Sequence, residues 1–123
     1  MMRAALAAPP RIRHIVIVIQ ENRSFDNLFA TFPGADGATL GRTRNGRPVR
    51  LKMRPLEGYD IGHSHKTFLT EYDAGKMEGF GSIRYMGAGG PAGDYPYQYV
   101  DPAQIRPYWA LAERYVLADH TFQ

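Results

Sequence analysis

The chain contains no cysteine, and this absence excludes a disulfide framework and a thiolate metal site. It fits a reducing or an oxidising compartment equally well. No apolar run is long enough to form a membrane-spanning helix. Internal repeats are also absent, which excludes a repeat array. The 123 residues suffice for one small domain with its own core.

Acidic residues are missing from one stretch of the chain, although the net charge is only +3. Between residues 42 and 54 there are six basic residues and no acidic one: Arg42, Arg44, Arg47, Arg50, Lys52 and Arg54. Asn45-Gly46 favours a tight turn, which predicts a β-hairpin with strands at about 39–42 and 48–51. We call residues 39–54 the basic segment. It would bind phosphate, nucleic acid or anionic lipid, or it would be a solvated hairpin. The solvated hairpin is favoured, because Lys and Arg suit exposed edge strands.

The longest apolar run, residues 15–19, consists only of Ile and Val and ends in polar residues. Branching at Cβ favours β structure, and a strand without polar alternation is typically buried on both faces. The sequence therefore predicts a central strand over about residues 14–20. Ligands of open α/β sheets bind beyond the carboxyl ends of such strands.

Glu21 and Asn22 follow this predicted strand directly. They can reach one ligand only if the chain turns after the strand, and Ser24 is a suitable N-cap for a short helix to Phe29. A carboxylate and an amide carbonyl are hard oxygen donors that suit a divalent cation. The alternative is that Glu21 pairs with Arg23 while Asn22 caps the turn.

Further elements are predicted along the chain. A helix is expected to begin at Ser64 and to stop near Gly75, and a second one to begin at Pro107. Residues 116–118 favour a strand. The Gly-rich residues 86–93 are expected to form a surface loop, because no Lys-Ser or Lys-Thr pair and no helix start follows them.

Four stretches carry a family resemblance: "IVIVIQENRSFDNLF" at residues 15–29, "TFPGA" at 31–35, "HSHKTFLTEYDAGKMEGF" at 63–80 and "PYWALAERYVLADHTFQ" at 107–123. In this order they resemble the bacterial phosphoesterase family, which contains non-haemolytic phospholipases C and acid phosphatases. The family belongs to the alkaline-phosphatase-like superfamily. The resemblance implies an α/β fold, the N-terminal portion of an alkaline-phosphatase-like sheet with flanking helices, plus the basic β-hairpin as an insertion.

The resemblance also implies the chemistry. Family members transfer a phosphoryl group through a seryl intermediate with the help of a divalent metal ion. Glu21 and Asn22 match the metal ligands, and His63 matches a catalytic histidine that contacts phosphate or leaving-group oxygens. His65 carries less weight. The nucleophilic serine of the family falls beyond the last matching stretch, and Ser24, Ser64 and Ser82 do not match it.

We therefore expect residues 12–123 to be the truncated N-terminal part of a phosphoesterase catalytic domain, an incomplete domain that is inactive and aggregation-prone by itself. Its partners would be a phosphate-ester or phospholipid substrate and the missing C-terminal part. Residues 1–11 are expected to be disordered or the remainder of a leader, and the family suggests a periplasmic or secreted location. The alternatives are a small binding module for nucleic acid or anionic lipid, and a non-functional remnant.

Overall fold

The computed structural model describes residues 12–87 and 89–121. Helices and strands are mixed along the chain, which is compatible with the α/β class: α1 (Phe25–Phe29), β1 (Leu40–Arg42), β2 (Pro48–Arg50), β3 (Lys52–Arg54), α2 (His65–Tyr72), β4 (Gln98–Val100) and α3 (Arg106–Arg114). Short 3₁₀ turns span Asp73–Gly75, Phe80–Ser82 and Pro102–Gln104. Within the described ranges, no helix is both long and apolar enough to cross a membrane.

Residues 48–54 form a nearly continuous extended stretch that changes its pairing partner halfway. β2 pairs antiparallel with β1, and β3 pairs parallel with β4. The change occurs at Leu51, whose N–H donates to the carbonyl of Thr39 at 2.9 Å, while the next N–H, of Lys52, donates to Tyr97 at 3.0 Å. The predicted hairpin is thus observed, and its turn has Gly46 at positive φ. That the hairpin is an insertion in an alkaline-phosphatase-like sheet stays a prediction.

The small core lies between this extended stretch and the segment that leads into β4. Val49 points inwards from β2 towards the buried side of the hairpin. Tyr97 is buried beside it, and its hydroxyl donates to the carbonyl oxygen of Arg42 at 2.8 Å. Ile105 and Val100 are the most completely buried aliphatic residues described. Apolar burial on one side of the strands therefore fixes the hairpin against the rest of the chain.

Helix α1 begins where the sequence predicts. The Ser24 hydroxyl accepts a hydrogen bond from the N–H of Asn27 at 3.1 Å, as an N-cap does. The Phe29 ring of α1 contacts Phe32, and Phe32 in turn contacts Trp109 of α3. The ring centroids of Phe32 and Trp109 are 5.1 Å apart. The Trp109 indole N–H donates to the carbonyl of Leu28 at 3.0 Å. Tyr108 and Leu111 of the same helix remain exposed.

Helix α2 is also capped as predicted, because the Ser64 hydroxyl accepts from the N–H of Thr67 at 3.3 Å. Its end differs from the prediction. The left-handed cap residue is Asp73 (φ 45°), two positions before Gly75. Gly75 also has a positive φ and closes the following 3₁₀ turn. The glycine pattern located the end of the helix region but not its last residue.

The predicted central strand over residues 14–20 is wrong for this structure. Residues 12–20 form no strand in the described chain, and Ile15 to Ile19 are each at least 78 % exposed. The predicted strand at residues 116–118 is also absent. The physical reason is the same in both places: β-branched residues favour an extended backbone, but a strand also needs a neighbouring edge. Both described sheets are two-stranded pairs formed by other residues. The prediction for residues 1–11 lies outside the described residues.

Candidate functional site

A cavity of about 690 Å³ lies between the turn before α1, most of residues 55–64, and residues 95–98. Glu21, Asn22 and His63 all line this cavity, although more than forty positions separate the first from the last. Phe68 and Glu71 of α2 and Phe80 of the 3₁₀ turn Phe80–Ser82 complete the wall. The three site residues predicted from the sequence are therefore brought together, and His65 is not among the lining residues.

A tight turn presents Glu21 and Asn22 to the cavity. Asn22 has a φ of 57°, in the left-handed region that Asn tolerates better than most residues. Both residues are exposed, so their oxygens are accessible. The preceding Gln20 is held by the Tyr108 hydroxyl, which donates to its side-chain oxygen at 2.7 Å. The chain turns at Asn22, as it must if Glu21 and Asn22 are to reach one ligand.

Arg23 and Asn27 tie this turn to the other walls of the cavity. The Arg23 guanidinium donates to the Asn27 side-chain oxygen at 2.9 Å and also to the carbonyl of Leu56. The Asn27 amide in turn donates to the carbonyl of Gln98 at 3.3 Å. The alternative in which Arg23 pairs with Glu21 is not what the described residues show. Arg23 instead links α1 to the loop after β3, a role that sequence spacing did not reveal.

His63 has one ring nitrogen occupied by backbone. Its Nδ1 lies 3.1 Å from the carbonyl oxygen of Ile61 and 3.7 Å from a carboxylate oxygen of Asp60. Both neighbours are acceptors, so Nδ1 must carry a proton. In the neutral ring Nε2 then has a lone pair, and in the charged ring it is a second donor. This arrangement suits a histidine that exchanges a proton or contacts an anion through Nε2.

Glu71 of α2 is a lining residue that the sequence reasoning missed. Burial raises the pKa of its carboxyl above the ordinary value. With Glu21 and Asp60 it gives the cavity three carboxylates, against the guanidinium of Arg23 and the imidazole of His63. This excess of carboxylates over cationic side chains favours the binding of a cation, or of a ligand that carries a cationic group as well as an anionic one. Its place in the quoted motif at residues 63–80 gave no sign of this role.

Two serines line the cavity, and both are used as helix caps. Ser24 caps α1 and Ser64 caps α2. The Ser64 hydroxyl also lies 3.1 Å from the Thr67 hydroxyl. Ser82, in a 3₁₀ turn, is not a lining residue. The N-cap predicted for Ser24 is confirmed, and among the described residues no hydrogen bond joins any of the three hydroxyls to a histidine or a carboxylate.

Three tyrosines cluster at one side of the cavity. The ring centroids of Tyr59, Tyr85 and Tyr95 are 5.2–6.0 Å apart, with the rings inclined at 61–67°. The Tyr95 hydroxyl donates to the backbone carbonyl of Tyr59 at 3.1 Å. This spacing is too close for a ligand to enter between the rings. The outer face of Tyr59, which is 75 % exposed, is the surface left for one.

The donor set of Glu21 and Asn22 fits part of a site for a hard divalent cation. Both offer oxygen, the preferred donor of Mg²⁺ and Ca²⁺. No group of three or more His, Cys, Asp or Glu side chains in the described ranges is arranged to hold a metal ion. Two oxygens alone provide a weak site, so further ligands are needed for tight binding.

One protein family and one curated protein match this sequence over nearly its whole length. Residues 12–123 match the profile of the Phosphoesterase family. A Hemolytic phospholipase C of Pseudomonas aeruginosa is 28 % identical in an alignment 147 positions long, gaps included. The alignment covers 96 % of this chain and 19 % of that protein. The chain thus spans about a fifth of the length of this curated relative. No solved structure matches significantly. Because the family profile spans almost the entire sequence, the chain belongs to the Phosphoesterase family.

Proposed function

We propose that the chain forms one wall of the active site of a metal-dependent phosphoesterase, of phospholipase C or acid phosphatase type. The single observation that carries the proposal is the shared cavity of Glu21, Asn22 and His63. Family membership supports the reaction class, and the relative's name supports a phospholipid as one substrate. Acid phosphatase activity rests on the sequence resemblance alone.

In this proposal Glu21 and Asn22 hold a divalent metal ion through their side-chain oxygens. When bound, such an ion supplies positive charge for a phosphate oxygen and lowers the pKa of a nearby hydroxyl. The hydrogen bonds of Arg23 and Asn27 keep the turn against the opposite wall, so that the two oxygens face the cavity. Ligands beyond these two come from outside the described residues.

His63 is proposed to contact the phosphate or the leaving-group oxygen through Nε2. The carbonyl of Ile61 holds Nδ1–H and thereby fixes the orientation of the ring. Protonated, Nε2 would donate to the departing oxygen, and neutral, it would accept a proton from the attacking group. The attacking group itself is a seryl oxygen from outside the described residues, because Ser24 and Ser64 are occupied as helix caps.

The tyrosine cluster supports a phospholipid with a cationic headgroup over a small phosphate ester that has no cationic group. A quaternary ammonium binds well against an aromatic face with a carboxylate nearby. Tyr59 offers such a face, and the next residue, Asp60, offers the carboxylate. Tyr85 and Tyr95 hold the Tyr59 ring in place by edge-to-face contact.

Metal binding tests the proposal without requiring turnover. Mn²⁺ titration followed by electron paramagnetic resonance should detect weak binding to the chain that is lost in Glu21→Ala. Glu57→Ala is the matched control, because Glu57 is an exposed carboxylate that does not line the cavity. Equal loss in both variants, or binding unchanged in Glu21→Ala, would contradict the metal assignment.

Hydrolysis of an aryl phosphate and of an aryl phosphocholine, with and without divalent cations, tests the nucleophile. We expect no turnover above that of Glu21→Ala. Metal-dependent turnover that disappears in Glu21→Ala would show that the attacking group lies within this chain, and our assignment of an external serine would be wrong.

A further inference from the structure

The extended stretch over residues 48–54 alternates basic with aliphatic side chains. In the β1–β2 register, Leu40 lies opposite Arg50 and Arg42 lies opposite Pro48, so these four share one face. Val49 and Leu51 alternate with them and point to the inner side, where Val49 is buried. Alternation along the same extended backbone places Lys52 and Arg54 on the side of Arg50, and all three residues of β3, including Met53 between them, are exposed. We call the face with Leu40, Arg42, Pro48, Arg50, Lys52 and Arg54 the basic face.

The six cations of the basic segment divide into two groups. Arg44 and Arg47 lie in the turn, and each is paired with an acid from another part of the chain: Arg44 with Asp73 at 3.2 Å and Arg47 with Asp94 at 2.7 Å. These pairs fix the hairpin and reduce its charge. For the other four cations, which form the basic face, no carboxylate in the described ranges lies within ion-pair distance. Their charge is therefore available to an anionic partner.

We propose that the basic face docks on the surface of an anionic phospholipid bilayer. Four cations on one exposed strand face complement a layer of anionic headgroups. Leu40, which is 55 % exposed, and Pro48 add apolar area among the charges, as membrane-surface elements do. Nucleic acid is the less favoured partner, because a single-strand binding face stacks bases on aromatic side chains and the basic face has none.

The basic face lies next to the cavity that contains the proposed active-site residues. The row of cations ends at Arg54, and the next residue, Pro55, already lines the cavity of about 690 Å³. Docking would thus bring the rim of the cavity to the headgroup layer. The inference concerns binding alone and does not require the proposed hydrolysis, so either can fail without the other.

Flotation with vesicles tests the proposal. The full chain should float with phosphatidylcholine vesicles that contain phosphatidylglycerol, and much less with phosphatidylcholine alone. Raising the salt concentration should weaken the binding, because the charges are exposed. A triple variant, Arg50→Gln, Lys52→Gln and Arg54→Gln, should lose about fivefold in affinity for each charge, on the order of a hundredfold together.

A matched variant controls for net charge. Lys66→Gln, Lys76→Gln and Arg106→Gln remove three exposed cations elsewhere, so both variants have the same net charge. This control should keep most of the vesicle binding. The proposal is overturned by equal losses in the two variants, by absence of binding to anionic vesicles, or by tighter binding to single-stranded DNA than to vesicles at the same salt. Circular dichroism of both variants would establish that each retains the fold of the parent chain.

Discussion

The ring of Tyr97 lies against the backbone of Gly41 so closely that a Cβ at position 41 would be 2.6 Å from the Tyr97 Cδ1 atom. The hydroxyl of the same ring reaches the carbonyl of Arg42 in the next position of β1. One aromatic side chain thus holds the hairpin both by packing and by a hydrogen bond. Glycine is required at position 41 for space, since its φ is not in the left-handed region.

Gly41→Ala should destabilise the chain by about 1–3 kcal/mol, because the added methyl group forces the Tyr97 ring or the strand to move. Urea denaturation followed by circular dichroism measures the change. Gly90→Ala is the matched control, since no atom lies within 4 Å of its added Cβ and its φ is not positive. A loss in Gly90→Ala as large as in Gly41→Ala would contradict the steric explanation.

Tyr97→Phe should keep the packing and lose the hydrogen bond from the hydroxyl to Arg42, at a cost of about 1 kcal/mol. Burial raises the pKa of Tyr97, so its hydroxyl remains a donor throughout the neutral range. Tyr115→Phe, at an exposed tyrosine, should change the free energy of unfolding by less than about 0.5 kcal/mol. The two variants can be compared in the same urea titration, and equal effects would refute the role of the Tyr97 hydroxyl.

Glu71→Gln should stabilise the chain at neutral pH. Burial raises the pKa of Glu71 above its ordinary value of 4.5, so the folded state binds its proton more tightly than the unfolded state does. Stability therefore falls as pH rises from the unfolded value through the folded one, and the variant avoids this loss. Thermal melts should show a higher Tm for Glu71→Gln at pH 7, with the difference closing below pH 4.5. A difference that grows as pH falls would reverse the assigned sign.

The exposed run at residues 15–19 should make the chain self-associate. Val16 and Val18 are 84 % and 87 % exposed, which leaves a row of apolar side chains in water. Val16→Thr with Val18→Thr should reduce concentration-dependent light scattering and leave Tm nearly unchanged. Val49→Thr, at a buried position, should instead lower Tm. Scattering that is unaffected by the double substitution would mean that another surface drives association.

Local sequence signals predicted the elements that depend on local interactions. Ser24 and Ser64 cap α1 and α2 because a hydroxyl next to the first turn binds its own helix. Asn45-Gly46 turns the hairpin for a similarly local reason. The predicted strand at residues 14–20 is wrong, because a preference for extended backbone does not supply a neighbouring strand with which to pair.

The family motif itself led to Glu21, Asn22 and His63, and their roles remain predictions. Only the tertiary structure brought these residues to one cavity, through the contacts of Arg23 and Asn27 with distant backbone carbonyls. The same holds for Glu71, whose raised pKa comes from burial, and for Arg44 and Arg47, whose acids lie 29 and 47 positions away. Caps and tight turns are determined by neighbours in sequence. Burial, pairing of strands and neutralisation of charge depend on residues far along the chain, and only folding decides them.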